Sequence, residues 1–230
     1  MPHRPRTHRH RGVLALCLPA LLAVAVSLGA LSGCALLQPR PDSTKFYLLT
    51  PATVAAQAPP INPGAGLKIG LRAVEVPTYL RTKKMVVRVG RNEILYSEFD
   101  RWAEPLDEAI ARVVKEALGS TDKVDRVALN SQGGDTLDYE VRIRVLACEG
   151  ARGGGSADSI RLALSWEIQP SGTNGAALKR GGFRAAPADW DGKDYARLAW
   201  QLGKGIGEAA QALAADLVAE AKSARKSDRE

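Results

Sequence analysis

The hydrophobic pattern of the chain changes repeatedly between the period of two that is typical of strands and the longer period of helices. Eight runs are predicted as strands, at 45–50, 67–71, 85–89, 94–99, 124–129, 139–145, 162–168 and 183–185. In the sixth run Tyr139, Val141 and Ile143 alternate with charged residues, which is typical of a half-buried strand. Residues 149–158, with three glycines at 153–155, are predicted to form a hairpin loop between two strands.

Two longer segments have helical periodicity. The first begins near Pro105, carries Asp107 and Glu108 in its first turn, and is predicted to end with Gly119 as the residue after the helix. The second runs from about Asp194 to Ala224, with apolar residues three or four positions apart.

The second helix contains three glycines at alternate positions, Gly203, Gly205 and Gly207. Each costs about 1 kcal/mol relative to alanine in a helix interior. We therefore expect close packing of this helix on the sheet or on a neighbouring subunit to offset that cost.

The amino terminus has a different pattern. Residues 13–31 are apolar, four arginines and no acid precede them, and Leu31-Ser32-Gly33-Cys34 follows. A basic segment, an apolar core and small residues before a cut are typical of a secretory signal. A cysteine directly after Leu-Ser-Gly is typical of a lipoprotein signal. We predict that residues 1–33 are removed and that Cys34 becomes the amino terminus, with a diacylglycerol on sulfur and an acyl chain on nitrogen.

An uncleaved membrane anchor is the alternative. Residues 13–31 number 19, against about 20 for a span, and Pro19, Ser27 and Gly29 interrupt them. The interpretation as a lipoprotein signal also agrees with segment 34–45, where Pro39 and Pro41 predict an extended tether. The residue after Cys34 is alanine and not aspartate, which favours the outer membrane over retention in the inner membrane. The folded domain is then expected at 46–224, with a disordered tail at 225–230.

Composition restricts the chemistry of the mature chain. All three histidines and Cys17 lie in the leader, and lipid occupies Cys34, so only Cys148 remains. This excludes serine or cysteine nucleophiles paired with histidine, histidine-ligated metal sites and an internal disulfide. No metal and no cofactor is expected, and Cys148 is predicted to be a small buried hydrophobic residue.

The charge of the chain falls when the leader is removed. Four of the 32 basic residues lie in the leader, so 28 basic and 25 acidic residues remain, a formal charge of +3 instead of +7. This balance does not indicate a nucleic-acid partner.

A carboxylate pair is the remaining route to catalysis. Glu98, Asp100, Glu104 and Asp107 are close in sequence, and two acids suffice for a glycosidase. Acids at the start of a helix are the more ordinary interpretation, and we expect the protein not to be an enzyme.

Four segments together resemble the PqiC-type lipoproteins, the auxiliary lipoprotein components of ABC-type and MCE transport systems. They are YLLTP at 47–51, VEVPTYL at 74–80, MVVR at 85–88 and FDRWAEPL at 99–106. The resemblance covers most of the mature chain. It departs at 81–84, where an acidic residue or asparagine followed by Arg and Pro is expected and Arg-Thr-Lys-Lys stands.

The resemblance implies an α/β fold: a single domain with a mixed sheet flanked by two long helices, in an anticodon-binding-domain-like arrangement. It implies a non-catalytic outer-membrane lipoprotein, on the periplasmic face, that supports envelope integrity in intermembrane lipid transport. Its expected partners are a periplasmic MCE-domain protein and further copies of itself. An assembly lipoprotein for another outer-membrane machine, of lipopolysaccharide or secretin type, is the alternative.

Three residues of the resembling segments are candidates for a partner interface: Tyr79, Arg101 and Trp102. Arginine and aromatic residues dominate the binding energy of interfaces. The structural alternative is that Trp102 holds the helix start in the core, since tryptophan is usually largely buried.

Overall fold

Long β-strands and two long helices make up the protein in this computed structural model, which describes residues 41–51, 66–130, 136–153, 158–172 and 177–227. The leader, Cys34 and most of the tether lie outside the described residues. Residues 44–230 form one compact unit. The strands are β1 (Lys45–Tyr47), β2 (Leu67–Leu71), β3 (Lys84–Val89), β4 (Glu93–Trp102), β5 (Val124–Leu129), β6 (Tyr139–Arg152), β7 (Ser159–Pro170) and β8 (Lys179–Arg184). The helices are α1 (Leu106–Gly119) and α2 (Tyr195–Ser227), with a 3-10 turn at Thr78–Leu80.

Strand β6 is the centre of a mixed sheet. It pairs antiparallel with β7 along one side, and β8 lies beyond β7. On its other side, β2 pairs in parallel with its first residues and β3 pairs in parallel with its last residues. Strand β5 extends the sheet beyond β2, and β4 and then β1 extend it beyond β3. The expected α/β fold with a mixed sheet and two helices is confirmed.

The two faces of the sheet differ in polarity because residues of β6 alternate between them. Val141 and Ile143 are buried, and each lies opposite a buried residue of β7, Ile168 and Trp166. Both helices lie on this apolar side: α2 packs on β7 and β8, and α1 packs on α2 and β5. No helix of the described residues lies on the other face.

Helix α1 begins at Leu106, directly after Pro105, whose extended backbone (φ −55°, ψ 138°) precedes the first turn. Asp107 and Glu108 lie in that turn, as predicted. Gly119 is the last helical residue and not the residue after the helix, because Ser120 follows with a right-handed backbone and bonds back to Glu116. The turn therefore needs no left-handed glycine.

Helix α2 begins at Tyr195, and the side chain of Asp194 accepts a hydrogen bond from the backbone N–H of Arg197 at 2.9 Å. That bond satisfies one of the free donors of a helix start. The helix runs to Ser227, beyond the end expected at Ala224, with Arg225 and Lys226 in its last turn. Among the described residues, no helix is both long enough and apolar enough to span a membrane.

The packing around the glycines of α2 explains why glycine stands at these positions. A Cβ at Gly203 would lie 2.3 Å from the carbonyl oxygen of Thr50, and one at Gly205 would lie 2.5 Å from Cδ2 of Leu162. The helix is thus held between the segment after β1 and the apolar face of β7. The expected close packing is confirmed, and it occurs within the chain.

Candidate partner-binding surfaces

The acidic residues considered for catalysis have structural partners or lie in solvent. Asp100 accepts hydrogen bonds from the Tyr47 hydroxyl at 2.9 Å and the Ser97 hydroxyl at 2.7 Å. Glu104 forms an ion pair with Arg112, which also donates to the carbonyl of Leu49 at 2.9 Å. These contacts join the start of α1 to the segment that follows β1.

One cleft brings several acids together. Glu104, Asp107 and Glu108 line it with Arg112. Asp107 and Glu108 are exposed in the first turn of α1, and Glu104 is committed to Arg112, whose pKa is raised mainly by that hydrogen bond. Within the part of the chain that the structure describes, no cluster of three or more acidic, histidine or cysteine side chains is arranged to hold a metal.

Trp102 lies in the core, with 3% of its surface exposed. Its backbone N–H donates to the carbonyl of Lys83 at 2.7 Å, and Leu106 of α1 is buried in the same cluster. This position corresponds to the structural interpretation, in which the tryptophan fixes the strand-to-helix connection.

Arg101 is partly buried between two neighbouring strands, opposite Phe46 of β1 and Lys84 of β3. Its Nε is shielded from solvent and, among the described residues, has no hydrogen-bond partner. As a contact residue for a partner, Arg101 stays a prediction.

Tyr79 belongs to a cluster around a buried carboxylate. Its hydroxyl donates to Glu149 at 2.7 Å, Nε of Arg88 donates to the same carboxylate at 2.7 Å, and Arg161 lies 3.6 Å from it. Burial, and then the bond to Glu149, raises the pKa of Tyr79 to about 12. The hydroxyl of Tyr79 is therefore engaged within the domain, and its role toward a partner stays a prediction.

The prediction for Glu149 is wrong. The sequence pattern predicts that Glu149 opens a hairpin loop, but β6 continues to Arg152 and Glu149 is 1% exposed. A charged residue followed by Gly150 and a glycine run is typical of a loop start. Only the partners Tyr79, Arg88 and Arg161, which are distant in sequence, make burial of the carboxylate favourable.

The helix-free face of the sheet forms the first candidate surface, which we call the arginine face. Arginines and glutamates of this face include Arg72, Arg88, Arg142, Arg144, Arg161, Arg180 and Arg184, with Glu75, Glu140, Glu149 and Glu167. These seven positive and four negative groups sum to a formal charge of +3. The face therefore carries an excess of positive charge.

The second candidate surface is the outer edge of the sheet, which we call the apolar edge. Its exposed apolar side chains are Phe46, Leu48, Leu95, Tyr96 and Phe99, each between 41% and 62% exposed. Strand β1 pairs only with residues 100–102 of β4, so among the described residues 93–99 have β3 on one side and no strand on the other. An open strand edge with apolar side chains is a template for association with another chain.

A family model described as the ABC-type transport auxiliary lipoprotein component matches residues 47–214. A search of curated proteins found no significant match.

Two crystal structures are similar over most of the chain. A Xanthomonas campestris protein assigned to the family model DUF330 is 18% identical with a TM-score of 0.63, and the match covers 79% of this chain and 99% of that one. An uncharacterized protein is 16% identical with a TM-score of 0.58, and the match covers 76% and 98%. A PelC dodecamer from Paraburkholderia phytofirmans is 11% identical, with 64% and 89% covered, and its TM-score of 0.38 is too low to bear on assembly.

Proposed function

Because this chain belongs to the family of ABC-type transport auxiliary lipoprotein components, we propose that it is the non-catalytic lipoprotein of an MCE/ABC-type system that carries lipid between two membranes. In this proposal Cys34 anchors the domain in the outer membrane on its periplasmic side. A periplasmic MCE-domain protein that extends from the inner membrane is the partner, and the complex supports the integrity of the envelope.

The observation that carries the proposal is the apolar edge. An accessory protein of a transport system needs a surface that binds a partner. Exposed apolar side chains can be buried against that partner, and an unpaired strand beside them can form backbone hydrogen bonds with it. The tether favours the same role, because the 11 residues from 35 to 45 reach about 35 Å when extended. The domain can therefore stand away from its anchor to meet a partner.

A non-catalytic role agrees with the family and with the acids of the domain. Glu104 is paired with Arg112, and Asp100 accepts hydrogen bonds from Tyr47 and Ser97. A carboxylate used as a general acid needs a raised pKa and a free approach to substrate. Amide substitutions of Glu98, Asp100, Glu104 and Asp107 are expected to change stability and to remove no hydrolytic activity.

Self-association is part of the proposal. The apolar edge can join copies of the domain into a ring around the transport channel, with part of the same edge or a neighbouring surface facing the MCE protein. Light scattering on residues 44–230 measures the number of copies. A strictly monomeric domain at micromolar concentration would remove the ring from the proposal.

The partner test is a binding measurement between residues 44–230 and the periplasmic part of the MCE protein encoded with this chain. The informative variant combines Leu95→Ser and Phe99→Ser, two exposed residues of β4. We expect its affinity to fall about tenfold or more, since truncating an interface anchor costs over about 1 kcal/mol. Leu178→Ser is the matched control, because Leu178 is 53% exposed beside the start of β8, on the opposite side of β6 from β4.

Two results would contradict the proposal. One is a folded wild-type domain that never binds the MCE protein, in a strain whose envelope barrier survives deletion of the gene. The other is equal loss of binding in the edge variant and in Leu178→Ser. Co-purification of a lipopolysaccharide or secretin machine from cross-linked envelopes would instead favour an assembly role.

A further inference from the structure

The arginine face has no role in the partner contact proposed above. We propose that it binds the phosphate headgroups of an anionic phospholipid surface, so that the domain touches lipid directly. The inference rests on the proposed function only for the position of the domain beside a membrane. Lipid contact through this face is a property of the folded domain itself and needs neither the anchor nor the MCE protein.

The first argument is where the charge lies. The named arginines and glutamates of the face carry a formal +3. Arg142 and Arg184 make no ion pair with any described residue, because Glu167, which lies opposite Arg142 on β7, is paired with Arg180. A face with an excess of positive charge orients the domain toward a negative surface.

The second argument is the kind of cation. On β6, β7 and β8 the basic side chains of this face are all arginines. Arg142, Arg144 and Arg180 line one recess together with Ser165, Glu75 and Glu167. Glu75 pairs with Arg144 and Glu167 with Arg180, which leaves the guanidinium of Arg142 without an ion pair among the described residues. Guanidinium groups bind phosphate oxygens through two parallel N–H donors, and a hydroxyl such as that of Ser165 adds a further donor.

The third argument is an exposed leucine among the arginines. Leu146 is the extra residue at an irregularity of β6, between Val145 and Ala147, and it is 50% exposed. Leu146 continues the alternation of exposed residues that Arg142 and Arg144 begin on β6. An exposed apolar side chain beside cations is typical of surfaces that lie in the membrane interface.

These features favour lipid over an acidic protein segment. Protein interfaces are centred on aromatic anchors, and the exposed aromatic residues among the described ones, Phe46, Tyr96, Phe99 and Trp200, lie on the apolar edge or on α2. The anchor strengthens a weak contact, because a tether of about 35 Å keeps the face at high effective concentration near the membrane.

The test uses residues 44–230, which form one compact unit without the leader or Cys34. Sedimentation compares vesicles of phosphatidylglycerol and phosphatidylcholine with vesicles of phosphatidylcholine alone. We expect binding only to the anionic vesicles and loss of that binding at high salt. Arg142→Gln and Arg184→Gln should each lower the partition coefficient about fivefold, and Leu146→Ser should lower it as well.

Arg197→Gln is the matched control, because Arg197 is an exposed arginine of α2 in the helical layer. It removes the same charge and should leave partitioning unchanged. Inorganic phosphate should displace the domain no better than chloride at equal ionic strength, since the face binds a charged surface.

Four outcomes would overturn the inference. They are no binding to anionic vesicles, an equal effect of Arg142→Gln and Arg197→Gln, displacement by phosphate well beyond that of chloride, and binding to polyglutamate without binding to vesicles. The third would assign a site for a single free phosphate, and the fourth an acidic protein partner. None of them changes the expected binding to the MCE protein, which is measured without lipid.

Discussion

At the scale of single residues, Glu149 has the least exposed charged side chain among the residues that the structure describes. The carboxylate is fully buried, whereas the side chains of Arg88 and Arg161 are 19% and 43% exposed. The cluster joins the 3-10 turn, β3, β6 and β7. A buried ion pair adds little net stability, but removal of one partner is costly because it leaves the other without compensation.

We therefore expect Glu149→Gln to lower the free energy of unfolding of residues 44–230 by about 3 kcal/mol. Urea unfolding measures the change. Glu167→Gln is the control, because its pair with Arg180 is exposed at the surface and contributes under about 1 kcal/mol. Similar losses of unfolding free energy in the two variants would show that Glu149 does not stabilise the 3-10 turn at Thr78–Leu80.

Two tyrosine hydroxyls make stability depend on alkaline pH. Burial raises the pKa of Tyr47 and of Tyr79 to about 12, and the bonds to Asp100 and Glu149 contribute to the same effect. Below pH 10 both tyrosines keep their protons in the folded and the unfolded chain, so this stabilisation is fully present. Between pH 10 and 12 the unfolded chain loses the protons first, and the folded state loses stability.

The expected result is a fall in the free energy of unfolding from pH 10 to pH 12 that becomes less steep in Tyr79→Phe, because phenylalanine has no proton to lose. Denaturant unfolding at several pH values measures it. Tyr96→Phe serves as the control, since Tyr96 is 46% exposed and its curve should match the wild type. A wild-type slope in Tyr79→Phe would contradict the assignment.

At the scale of elements, the packing of α2 outweighs the helix propensity of its sequence. Glycine is a poor helix former, yet two of the three glycines face atoms that leave no room for a side chain. Gly203 lies against the backbone of Thr50, and Gly205 against Leu162. Gly207 differs, because its nearest contact is Cβ of Pro51 at 3.9 Å.

The pair of variants Gly203→Ala and Gly207→Ala should therefore change stability in opposite directions. Gly203→Ala places a methyl group 2.3 Å from a backbone oxygen, and we expect a net loss of about 2 kcal/mol from overpacking. In Gly207→Ala the new methyl group makes an ordinary van der Waals contact. The free energy of unfolding should rise by up to about 1 kcal/mol, because alanine has the higher helix propensity. Thermal unfolding of both variants distinguishes the two effects, and a gain at position 203 would refute the close packing.

At the scale of the whole molecule, we propose that the Cys34 anchor, the tether and the two candidate surfaces act together. The chain enters the sheet at β1, on the outer strand beside the apolar edge. The arginine face is the opposite side of the sheet from both helices. An anchored domain can in this way present one surface to lipid and another to a protein partner.

The anchor itself is open to a direct test. Mass spectrometry of the mature protein should find an amino terminus at Cys34 with a diacylglycerol and an acyl chain, and Cys34→Ser should move the domain from the membrane fraction to the soluble fraction. A protein that keeps residues 1–33, or that carries an unmodified Cys34, would contradict the prediction that this chain is a lipoprotein.

The order and type of the elements could be predicted from the sequence because they depend on local periodicity. Strands β2 and β5 lie at the predicted residues, and β3 and α1 lie within a residue or two of them. The burial of Cys148, which raises its pKa to about 12, also agrees with its place in an apolar strand. Lipidation of Cys34 depends on residue identity alone and stays a prediction.

Only the tertiary structure decided the contacts between residues that are far apart in the chain. No local pattern shows that β2 and β3 share one side of β6, or that Glu149 meets Tyr79 and Arg88. For the same reason the arginine face appears only when β6, β7 and β8 are aligned, because its charges are spread over more than 100 residues of sequence. Periodicity determines which side of an element is buried, whereas packing determines what that side and its opposite meet.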